Sequence, residues 1–582
     1  MLPSKKLTTT LLPTLIALMA LLVAACGGGG GTTTATPTAA PKAPQSQQIY
    51  RWAVPNSDIP TFDPGQSTDE LSINAILLVY NGLVQLKDNL TVEPELAQSY
   101  DVSSDGLTYT FHLRSGLMFS DGTPLTSTDV AYSIDRALSP TIFNLSGVSL
   151  TYLGLIKDAA GCTTGKVASL INDSILTPDQ STVVLKLSKG TAYFLEALAY
   201  PASFVVERKL IDKYGLKFTD HLDEGGGSGP FKVKSYDHTT GIKLVRNDNY
   251  WGPKPQLAEI DQVFYKTSNT SYQAYLANQV DVTTVPSAEY QSAKTRPDFS
   301  QTPSLTIYYF AMNYNAKPFD NIHIRQAFEL ALNKDAIIKA VWKGRFVPTC
   351  HIVPQGMPGY DASLTCPDNA PTAGDATKAK ALFQQGLQEE GYSSAAQLPP
   401  IKMTYETGSP DLANEITTAI GMWQQVLGVT VGTATLDFGP LLTAESATWC
   451  QTTYTKCTGK GLQMWAAGWG ADYPDPQDWL TLQFGDNQPY NEFNYGNNPG
   501  STVAQQQANQ QAMDAADVMT DNTARMAAYN KAEQELVNEV AWLSLYQAPT
   551  ARLRKPYVIG ITPNAIGEIP PEDWANVYIA AH

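Results

Sequence analysis

Cys26 is the residue whose surroundings point most directly to a chemical modification. Lys5 and Lys6 precede an apolar stretch that ends in the small residues Val23-Ala24-Ala25, directly before the cysteine. A positive start, an apolar run and small residues at its end are typical of a cleaved secretory signal. We therefore predict that residues 1–25 are a signal peptide. Cys26 would become the new N-terminus and carry diacylglycerol on its thiol.

The apolar run over residues 11–25 is shorter than the roughly 20 residues that a membrane-spanning helix needs. An uncleaved anchor is the alternative, but the glycines and the Thr/Ala/Pro-rich sequence that follow do not continue a helix. Such a composition is typical of a flexible linker. We predict a tether over residues 26–48 that holds the protein, through its lipid, on the outer side of the cell membrane.

Five further cysteines bear on the fold. An exported protein can keep disulfides. Cys350 with Cys366 and Cys450 with Cys457 are the expected local pairs, and Cys162 is then left over. Spacing alone does not prove a pairing. Metal binding is the weaker interpretation, because the sequence contains no C-x-x-C, and we predict no metal site.

The motifs that usually accompany catalysis are absent. The sequence has no H-E-x-x-H, G-x-S-x-G, G-x-G-x-x-G or Walker motif, and no two of its six histidines have the spacing of a helical metal site. A pair of carboxylates for acid–base work stays open. The pattern favours a binding protein over an enzyme and gives no sign of a cofactor.

Length and charge narrow the function further. A chain of 582 residues is too long for one hydrophobic core, so two or more lobes are expected. The formal net charge is −16, which disfavours nucleic acid as a partner. The 29 tyrosines and 10 tryptophans suit a cavity that grips varied ligands by area and stacking.

Strands and helices alternate along the chain, which predicts an α/β fold. A helix that carries Val130, Ile134 and Leu138 is expected to begin with Ser127 or Thr128 as its cap. Strands are predicted over 49–54, 109–114, 182–187, 231–233, 307–312, 404–405 and 429–435, and further helices over 71–83, 324–338, 376–390 and 412–427.

A series of sequence blocks then forms a more specific pattern. The blocks are residues 93–100, 105–114, 119–125, 129–133, 227–231, 246–251, 318–320 and 324–327, with Asn313 and Gly468-Trp469-Gly470-Ala471-Asp472-Tyr473. In content and order they resemble the extracellular solute-binding proteins of ABC importers that take up oligopeptides, dipeptides or nickel. The likeness runs from about residue 49 to residue 582.

The resemblance implies a type II periplasmic-binding-protein-like fold with two lobes, a hinge and a ligand cleft between the lobes. Lobe I would comprise residues 49–85, 188–305 and 540–582, with a small additional domain over 86–187. Lobe II would comprise residues 306–539. The chain would cross between the lobes near Leu305 and near Val540.

The resemblance also implies which residues contact the ligand. In peptide-binding relatives the aspartate at the position of Asp472 holds the α-ammonium of the peptide, although Asp472 could instead cap the turn before Pro474. Gly468, Gly470 and Ala471 would offer main-chain groups. Trp469 would line a side-chain pocket, unless it is an ordinary core residue.

Tyr309 and Asn313 lie on or next to the first strand of the predicted lobe II and could face the cleft. Two membrane permeases and two cytoplasmic ATPases are the implied partners of a monomeric, lipid-anchored peptide-binding protein. Three alternatives stay open: another solute such as an oligosaccharide, nickel chelate, haem or opine, an extracytoplasmic hydrolase, and a signalling receptor. The cysteine-flanked loops leave the size of the ligand open.

Overall fold

The computed structural model describes residues 40–55, 58–450, 456–457 and 461–582. The predicted signal peptide, the lipidation site Cys26 and most of the predicted tether lie outside these residues. Among the helices that are described, none has the length and apolar composition needed to cross a membrane.

The last residues of the predicted tether are part of the folded structure. The Ala43 N–H donates to the Ile579 carbonyl at 2.9 Å. The buried Gln48 amide donates to the carbonyls of Ala43 at 2.8 Å and Ile579 at 2.9 Å. The tether boundary at Gln48 was therefore wrong, because the segment before it is held by hydrogen bonds to the C-terminal strand.

The strands are β1 (Ile49–Val54), β2 (Val84–Leu86), β3 (Val92–Pro94), β4 (Ala97–Val102), β5 (Thr108–Leu113), β6 (Ile175–Asp179), β7 (Thr182–Lys186), β8 (Phe231–Asp237), β9 (Gly241–Arg246), β10 (Glu259–Phe264), β11 (Val282–Thr284), β12 (Phe299–Thr302), β13 (Thr306–Met312), β14 (Val347–Pro348), β15 (Ile401–Glu406), β16 (Val431–Leu436), β17 (Met464–Gly470), β18 (Leu543–Gln547), β19 (Thr550–Arg554), β20 (Val558–Ile559) and β21 (Tyr578–Ile579).

The α-helices are α1 (Glu70–Val79), α2 (Ser127–Ala137), α3 (Pro140–Ser146), α4 (Val148–Leu153), α5 (Ala159–Thr163), α6 (Phe194–Leu198), α7 (Arg208–Tyr214), α8 (Ser268–Leu276), α9 (Tyr290–Ala293), α10 (Ile322–Leu330), α11 (Lys334–Ala340), α12 (Ala376–Glu389), α13 (Pro410–Leu427), α14 (Phe438–Ser446), α15 (Thr481–Phe484), α16 (Val503–Asp517) and α17 (Asn522–Asn538).

Seven strands form the first sheet, in the order β12-β19-β11-β1-β10-β9-β8. β1 runs parallel to both of its neighbours, β10 and β11, and the remaining pairs are antiparallel. Tyr50, Ala53 and Val54 of β1 are buried. A central strand that is covered on both faces has this apolar content.

Four antiparallel strands form the small sheet, in the order β4-β5-β7-β6. Helix α2 packs against β6 and β7. Its cap is Thr126, one residue before the predicted Ser127, because the Asp129 carboxylate returns to the Thr126 N–H at 2.8 Å and closes a capping box. The hydrophobic core beneath the small sheet is continuous with that of the first sheet.

Six strands form the second sheet, in the order β14-β18-β13-β17-β15-β16, above a core of its own. It includes β18, which the predicted boundary at Val540 assigned to lobe I. That boundary was wrong, because β18 pairs with β13, with Ser544 opposite Tyr309, and buries Leu543 and Leu545 in the second core.

Two neighbouring connections join the first and second sheets. One leads from β12 to β13 through Leu305, and the other leads from β18 to β19 through Ala548. The Ala548 N–H donates to the Thr306 carbonyl at 3.1 Å, and the Gln547 amide donates to the Ser304 carbonyl at 2.9 Å. The second crossing therefore lies several residues after Val540.

The predicted helix over 324–338 is in fact two helices, α10 and α11. Asn333 has an extended backbone, and its side-chain oxygen accepts the Ala336 N–H at 2.8 Å. An asparagine in this position caps a new helix, so the chain changes direction between Leu330 and Lys334 although the apolar spacing continues.

Two disulfides join Cys350 to Cys366 and Cys450 to Cys457, the pairs that the spacing indicated. Cys162 is buried and not disulfide-bonded. The first disulfide ties the loop after β14. The second closes the loop that leads from helix α14 towards β17, close to the site described next.

Candidate functional site

A cavity of about 900 Å³ lies between the parts of the protein that contain the first sheet, the small sheet and the second sheet. The first-sheet part contributes residues of the loop before α1, α1 itself, Ile566 and Glu568. The region of the small sheet contributes α3 and the start of α4. The second-sheet part contributes the ends of β13 and β17 and most of α14. Such a volume is in the range of ligand sites in proteins.

Strand β17 has an unpaired edge within this cavity. On one side it pairs with β13 over its full length, from Met464 to Gly470. On the other side it pairs with β15 at two positions only, Met464 and Trp465. In the described part of the chain, residues 466–470 therefore have no strand beside them on this edge, and all five line the cavity. An edge of this kind can accept an extended peptide as an additional strand.

The glycines of this edge differ in their surroundings. A Cβ atom added to Gly468 would lie 2.9 Å from two ring atoms of Tyr308, which is closer than side chains approach. A Cβ added to Gly470 would lie 3.5 Å from the Thr306 hydroxyl, an ordinary contact. A side chain at residue 468 would therefore displace the ring of Tyr308, whereas one at residue 470 would fit without a shift.

Asp472 lies two residues beyond β17 and also lines the cavity. Its carboxylate accepts a hydrogen bond from the Tyr152 hydroxyl of α4. Its N–H donates to the carboxylate of Asp478 at 3.0 Å. In the described chain the Asp472 carboxylate accepts no backbone N–H of the following turn, where the Asp475 carboxylate caps Gln477. The side chain thus faces the cavity and does not cap the turn.

The ionisation of Asp472 is altered by its surroundings. Burial raises the pKa of Asp472 to about 7, and the hydrogen bond from Tyr152 opposes this rise. Burial also raises the pKa of Asp478 well above its usual range, and the charge of Asp472 adds to the effect. Within the described residues neither carboxylate forms an ion pair. A cation supplied from outside would favour the charged form of Asp472.

Tyrosines surround this carboxylate. The ring of Tyr152 stacks on that of Tyr200 with 3.6 Å between centroids, and the Tyr200 hydroxyl donates to the Ser67 carbonyl at 2.9 Å. Trp469 meets Tyr490 edge to face at 4.9 Å, and both rings line the cavity. Trp469 is half-buried, in accord with a side chain that forms part of a pocket wall.

Tyr309 lines the cavity, and Asn313 does not. The ring of Tyr309 stacks on Trp542 with 3.8 Å between centroids. The Asn313 amide donates to the Leu462 carbonyl at 3.0 Å and its oxygen accepts from Asn494 at 3.0 Å. The polar groups of Asn313 are thus used inside the fold, because β13 has ended before it.

Sequence reasoning missed several lining residues. They are Tyr308, Trp449, Tyr490 and the carboxylates other than Asp472. Tyr152, which contacts Asp472 from α4, was also missed. They come from elements far apart in the chain, and no motif connects them. Alternation along β13 left both faces open for Tyr309, and it could not show that α4 brings Tyr152 to Asp472. Among the described residues, no group of three or more His, Cys, Asp or Glu side chains could hold a metal ion.

Comparison with known sequences identifies the family. The sequence model of the bacterial extracellular solute-binding proteins, family 5 (Middle), matches residues 91–491. This chain belongs to the bacterial extracellular solute-binding proteins of family 5. The family resemblance seen in the sequence is thereby confirmed.

Named members of family 5 match most of the chain. The oligopeptide-binding protein OppA of Bacillus subtilis is 28% identical over 515 residues, which cover 87% of this chain and 89% of that protein. The dipeptide-binding protein of Escherichia coli is 30% identical over 439 residues, which cover 73% and 75%.

Solved structures show the same fold. The murein tripeptide binding protein MppA of Escherichia coli has a TM-score of 0.77 at 22% identity and covers 92% of this chain and 99% of its own. Peptide-bound OppA of Listeria monocytogenes has a TM-score of 0.75 at 24% identity, with coverage of 92% and 99%. The predicted fold class, α/β and periplasmic-binding-protein-like type II, is confirmed.

Proposed function

We propose that this protein captures peptides in the cavity and delivers them to the permease of an ABC importer. The unpaired edge of β17, directly before Asp472, carries the proposal. A peptide laid along residues 466–470 can pair its main chain with that edge. Main-chain pairing is the same for every sequence, so the site would accept many peptides.

Asp472 would hold the α-ammonium of the peptide. Asp472 is half-buried, its carboxylate faces the cavity, and it forms no ion pair among the described residues. A charge-assisted hydrogen bond from an ammonium group would stabilise its ionised form. The main-chain groups of Gly470 lie where the first residue of the peptide would begin to pair. Ala471 would offer only its carbonyl, because its N–H donates to the Leu305 carbonyl at 2.9 Å.

The names of two relatives support a peptide as the ligand, since they are an oligopeptide-binding and a dipeptide-binding protein. By analogy we propose that the protein is a monomer that works with two permeases and two ATPases. We also propose that Cys26 carries the lipid that holds it at the outer face of the cell membrane. The protein would bind its ligand without catalysing a reaction.

Calorimetry on the ligand-stripped protein tests the central claim. Tetra-alanine amide with a free amino terminus should bind, and Asp472→Asn should weaken it by about ten- to a hundredfold, the range for a hydrogen bond to a charged group. The N-acetylated peptide should bind more weakly than the free amine and should not distinguish the two proteins. Asp248→Asn, at an exposed aspartate paired with Arg246, is the matched control.

Native mass spectrometry of the protein as purified identifies what it carries. Peptides of mixed sequence that are lost in Asp472→Asn support the proposal. A single sugar, haem, opine or metal-chelate adduct would contradict it. In the calorimetry, an equal loss of affinity for the free and the acetylated peptide in Asp472→Asn would also contradict it.

A further inference from the structure

The walls of the cavity carry charge of one sign. Its lining includes eight carboxylates and, among the described residues, no lysine, arginine or histidine. The carboxylates are Asp69, Glu70, Glu406, Glu415, Glu445, Asp472, Glu492 and Glu568. One α-ammonium at Asp472 would neutralise one of them. If the protein binds peptides as proposed above, a peptide with a further positive charge would complement the remaining carboxylates.

Some of these carboxylates already have partners. Asp69 caps α1 by accepting the Ser72 N–H at 2.9 Å. Glu415 accepts hydrogen bonds from Trp342 and from Tyr546, the latter at 2.8 Å. They contribute to the fold and are not free for a ligand.

Glu445 and Glu492 differ from them. Glu445, on α14, is 8% exposed and lines the cavity, yet its carboxylate makes no hydrogen bond or ion pair within the described chain. Burial raises the pKa of Glu445 to about 8, and the charge of Glu406 adds to the rise. Burial and the charge of Glu445 raise the pKa of Glu492 as well. The three side chains therefore form one acidic wall.

Tyr309 provides an independent indication of a ligand at this wall. Tyr309 is 5% exposed and lines the cavity. Its hydroxyl makes no hydrogen bond among the described residues. Glu445 and Glu492 are the charges that act on it most strongly. An aromatic ring with an available hydroxyl, beside two carboxylates that form no ion pair in the described chain, is suited to bind a cation.

The register places this wall along the path of the proposed peptide. Tyr309 lies opposite Ala467 of β17, five residues before Asp472. At about 3.3 Å per residue this is roughly 16 Å along an extended strand. A peptide that is anchored at Asp472 and runs along the edge of β17 would bring a side chain from about its fourth to sixth residue to Tyr309.

We propose that Glu445, Glu492 and Tyr309 form a subsite for the cationic side chain of a lysine or arginine in the bound peptide. The cation would supply a counter-charge to the buried carboxylate of Glu445 and the half-buried carboxylate of Glu492. Glu406, on the same wall, would add to the attraction. The protein would then select basic peptides from a mixture while its main-chain contacts remain independent of sequence.

Peptide pairs that differ in one charge test this subsite on the intact protein. Hexa-alanine amide is compared with hexapeptide amides that carry lysine, acetyl-lysine or the uncharged norleucine at positions 3, 4, 5 or 6. At one position lysine should bind about tenfold or more tightly than norleucine, the effect of a desolvated ion pair. Acetyl-lysine should resemble norleucine.

The variant Glu445→Gln/Glu492→Gln should reduce this lysine preference to less than about threefold and leave hexa-alanine amide unaffected. Both substitutions preserve shape and remove charge, and Glu445→Gln alone is the fallback if the double variant does not fold. Glu93→Gln, at an exposed carboxylate of β3, is the matched control and should keep the full preference.

The outcomes separate this inference from the proposed function. If no peptide binds, the proposed function fails and the subsite fails with it. If lysine and norleucine bind equally at every position, the subsite is wrong and peptide binding stands. A lysine preference that survives in the double variant overturns the assignment of the residues. Binding of the diamine cadaverine as tightly as the lysine peptide overturns a peptide side chain as the source of the cation.

Discussion

The Tyr152 hydroxyl donates a hydrogen bond to the carboxylate of Asp472, which lines the cavity. The two residues are 320 positions apart in the chain, Tyr152 on α4 next to the small sheet and Asp472 beyond β17 of the second sheet. The bond thus joins the region of the small sheet to the second-sheet part beside the site. It links the ionisation of the proposed ligand anchor to the packing of these two regions.

Tyr152→Phe should weaken the binding of peptides with a free amino terminus. The hydroxyl of Tyr152 lowers the pKa of Asp472, so its removal leaves a larger fraction of Asp472 protonated near neutral pH. We expect a loss of about tenfold at pH 7 by calorimetry, the scale of one hydrogen bond to a charged group, and partial recovery at pH 8.

Tyr200→Phe is the matched control for this prediction. Tyr200 stacks on Tyr152, but its hydroxyl donates to the Ser67 carbonyl and not to Asp472. Equal losses in both variants, independent of pH, would point to packing of the aromatic stack and would contradict a specific effect on Asp472.

Peptide affinity should depend on pH with a maximum between about 7 and 8. In the free protein burial holds the pKa of Asp472 at about 7, and a bound ammonium would lower it. Below pH 7 binding must displace a proton from Asp472, so Kd should rise by up to about tenfold for each unit of falling pH. Above about pH 8 the α-amino group of the peptide loses its own proton.

Titration calorimetry at several pH values checks this dependence. Asp472→Asn should lack the acidic limb and retain the alkaline one. The neighbouring Asp478, Glu568, Tyr152 and Tyr490 all have raised pKa values. They should therefore not produce an additional loss of affinity between pH 5 and 7. An unchanged acidic limb in Asp472→Asn would assign the titration to another group.

The sequence predicted most elements but not how the walls of the site meet. Strand and helix periodicity located β1, β5, β13 and α13 to within about two residues, because each depends on local apolar spacing. The division of 324–338 at Asn333 was missed, because a cap interrupted an apolar pattern that itself continues. The assignment of β18 to the second sheet depends on long-range pairing, which local spacing does not contain.

The candidate site shows the same limit. The Gly468–Tyr473 block was identified through its resemblance to a family, and its residues do line the cavity except for Tyr473. The acidic wall was not foreseen. No motif surrounds Glu445 or Glu492 in the sequence. Their proposed role becomes apparent only in the described fold, where no lysine, arginine or histidine lines the same cavity.

Glu539→Ala should destabilise the second-sheet part strongly. The Glu539 carboxylate accepts a hydrogen bond from Arg325 at 2.9 Å, and both side chains are almost completely buried. Removing the carboxylate leaves the Arg325 charge buried without its partner, which costs about 3–5 kcal/mol. Urea denaturation should show a lower midpoint. Glu535→Ala, which removes a single exposed hydrogen bond with Gln505, should cost less than about 1 kcal/mol.

Gly468→Ala and Gly470→Ala should have different effects on peptide binding. The added methyl group at residue 468 would force the ring of Tyr308 to move, whereas the one at residue 470 would make an ordinary contact with Thr306. Since Tyr308 is 40% exposed and lines the cavity, the shift changes the wall beside the open edge of β17 and leaves the core intact.

Calorimetry with tetra-alanine amide and a thermal melt of each variant check this difference. Gly468→Ala should lower affinity by about tenfold, the effect of steric misfit at a binding surface, with a melting temperature close to that of the unmodified protein. Gly470→Ala should remain within about threefold. Equal affinity in all three proteins would show that the wall at Tyr308 does not contact the peptide.

The carboxyl end of a bound peptide should oppose binding when it lies within the cavity. The described lining offers that end no cation, and its own charges are all negative. In a dipeptide the two termini are about 7 Å apart, so a carboxylate would lie close to Asp472 among other acids. Converting the carboxylate to an amide should therefore improve the affinity of a dipeptide by about tenfold or more. The gain should decrease as the peptide is lengthened to five or six residues, because the terminus then reaches solvent.

Calorimetry on acid–amide pairs of two to six alanines measures this directly. A dipeptide acid that binds more tightly than its amide would require a cation at the site and would contradict this account of the cavity.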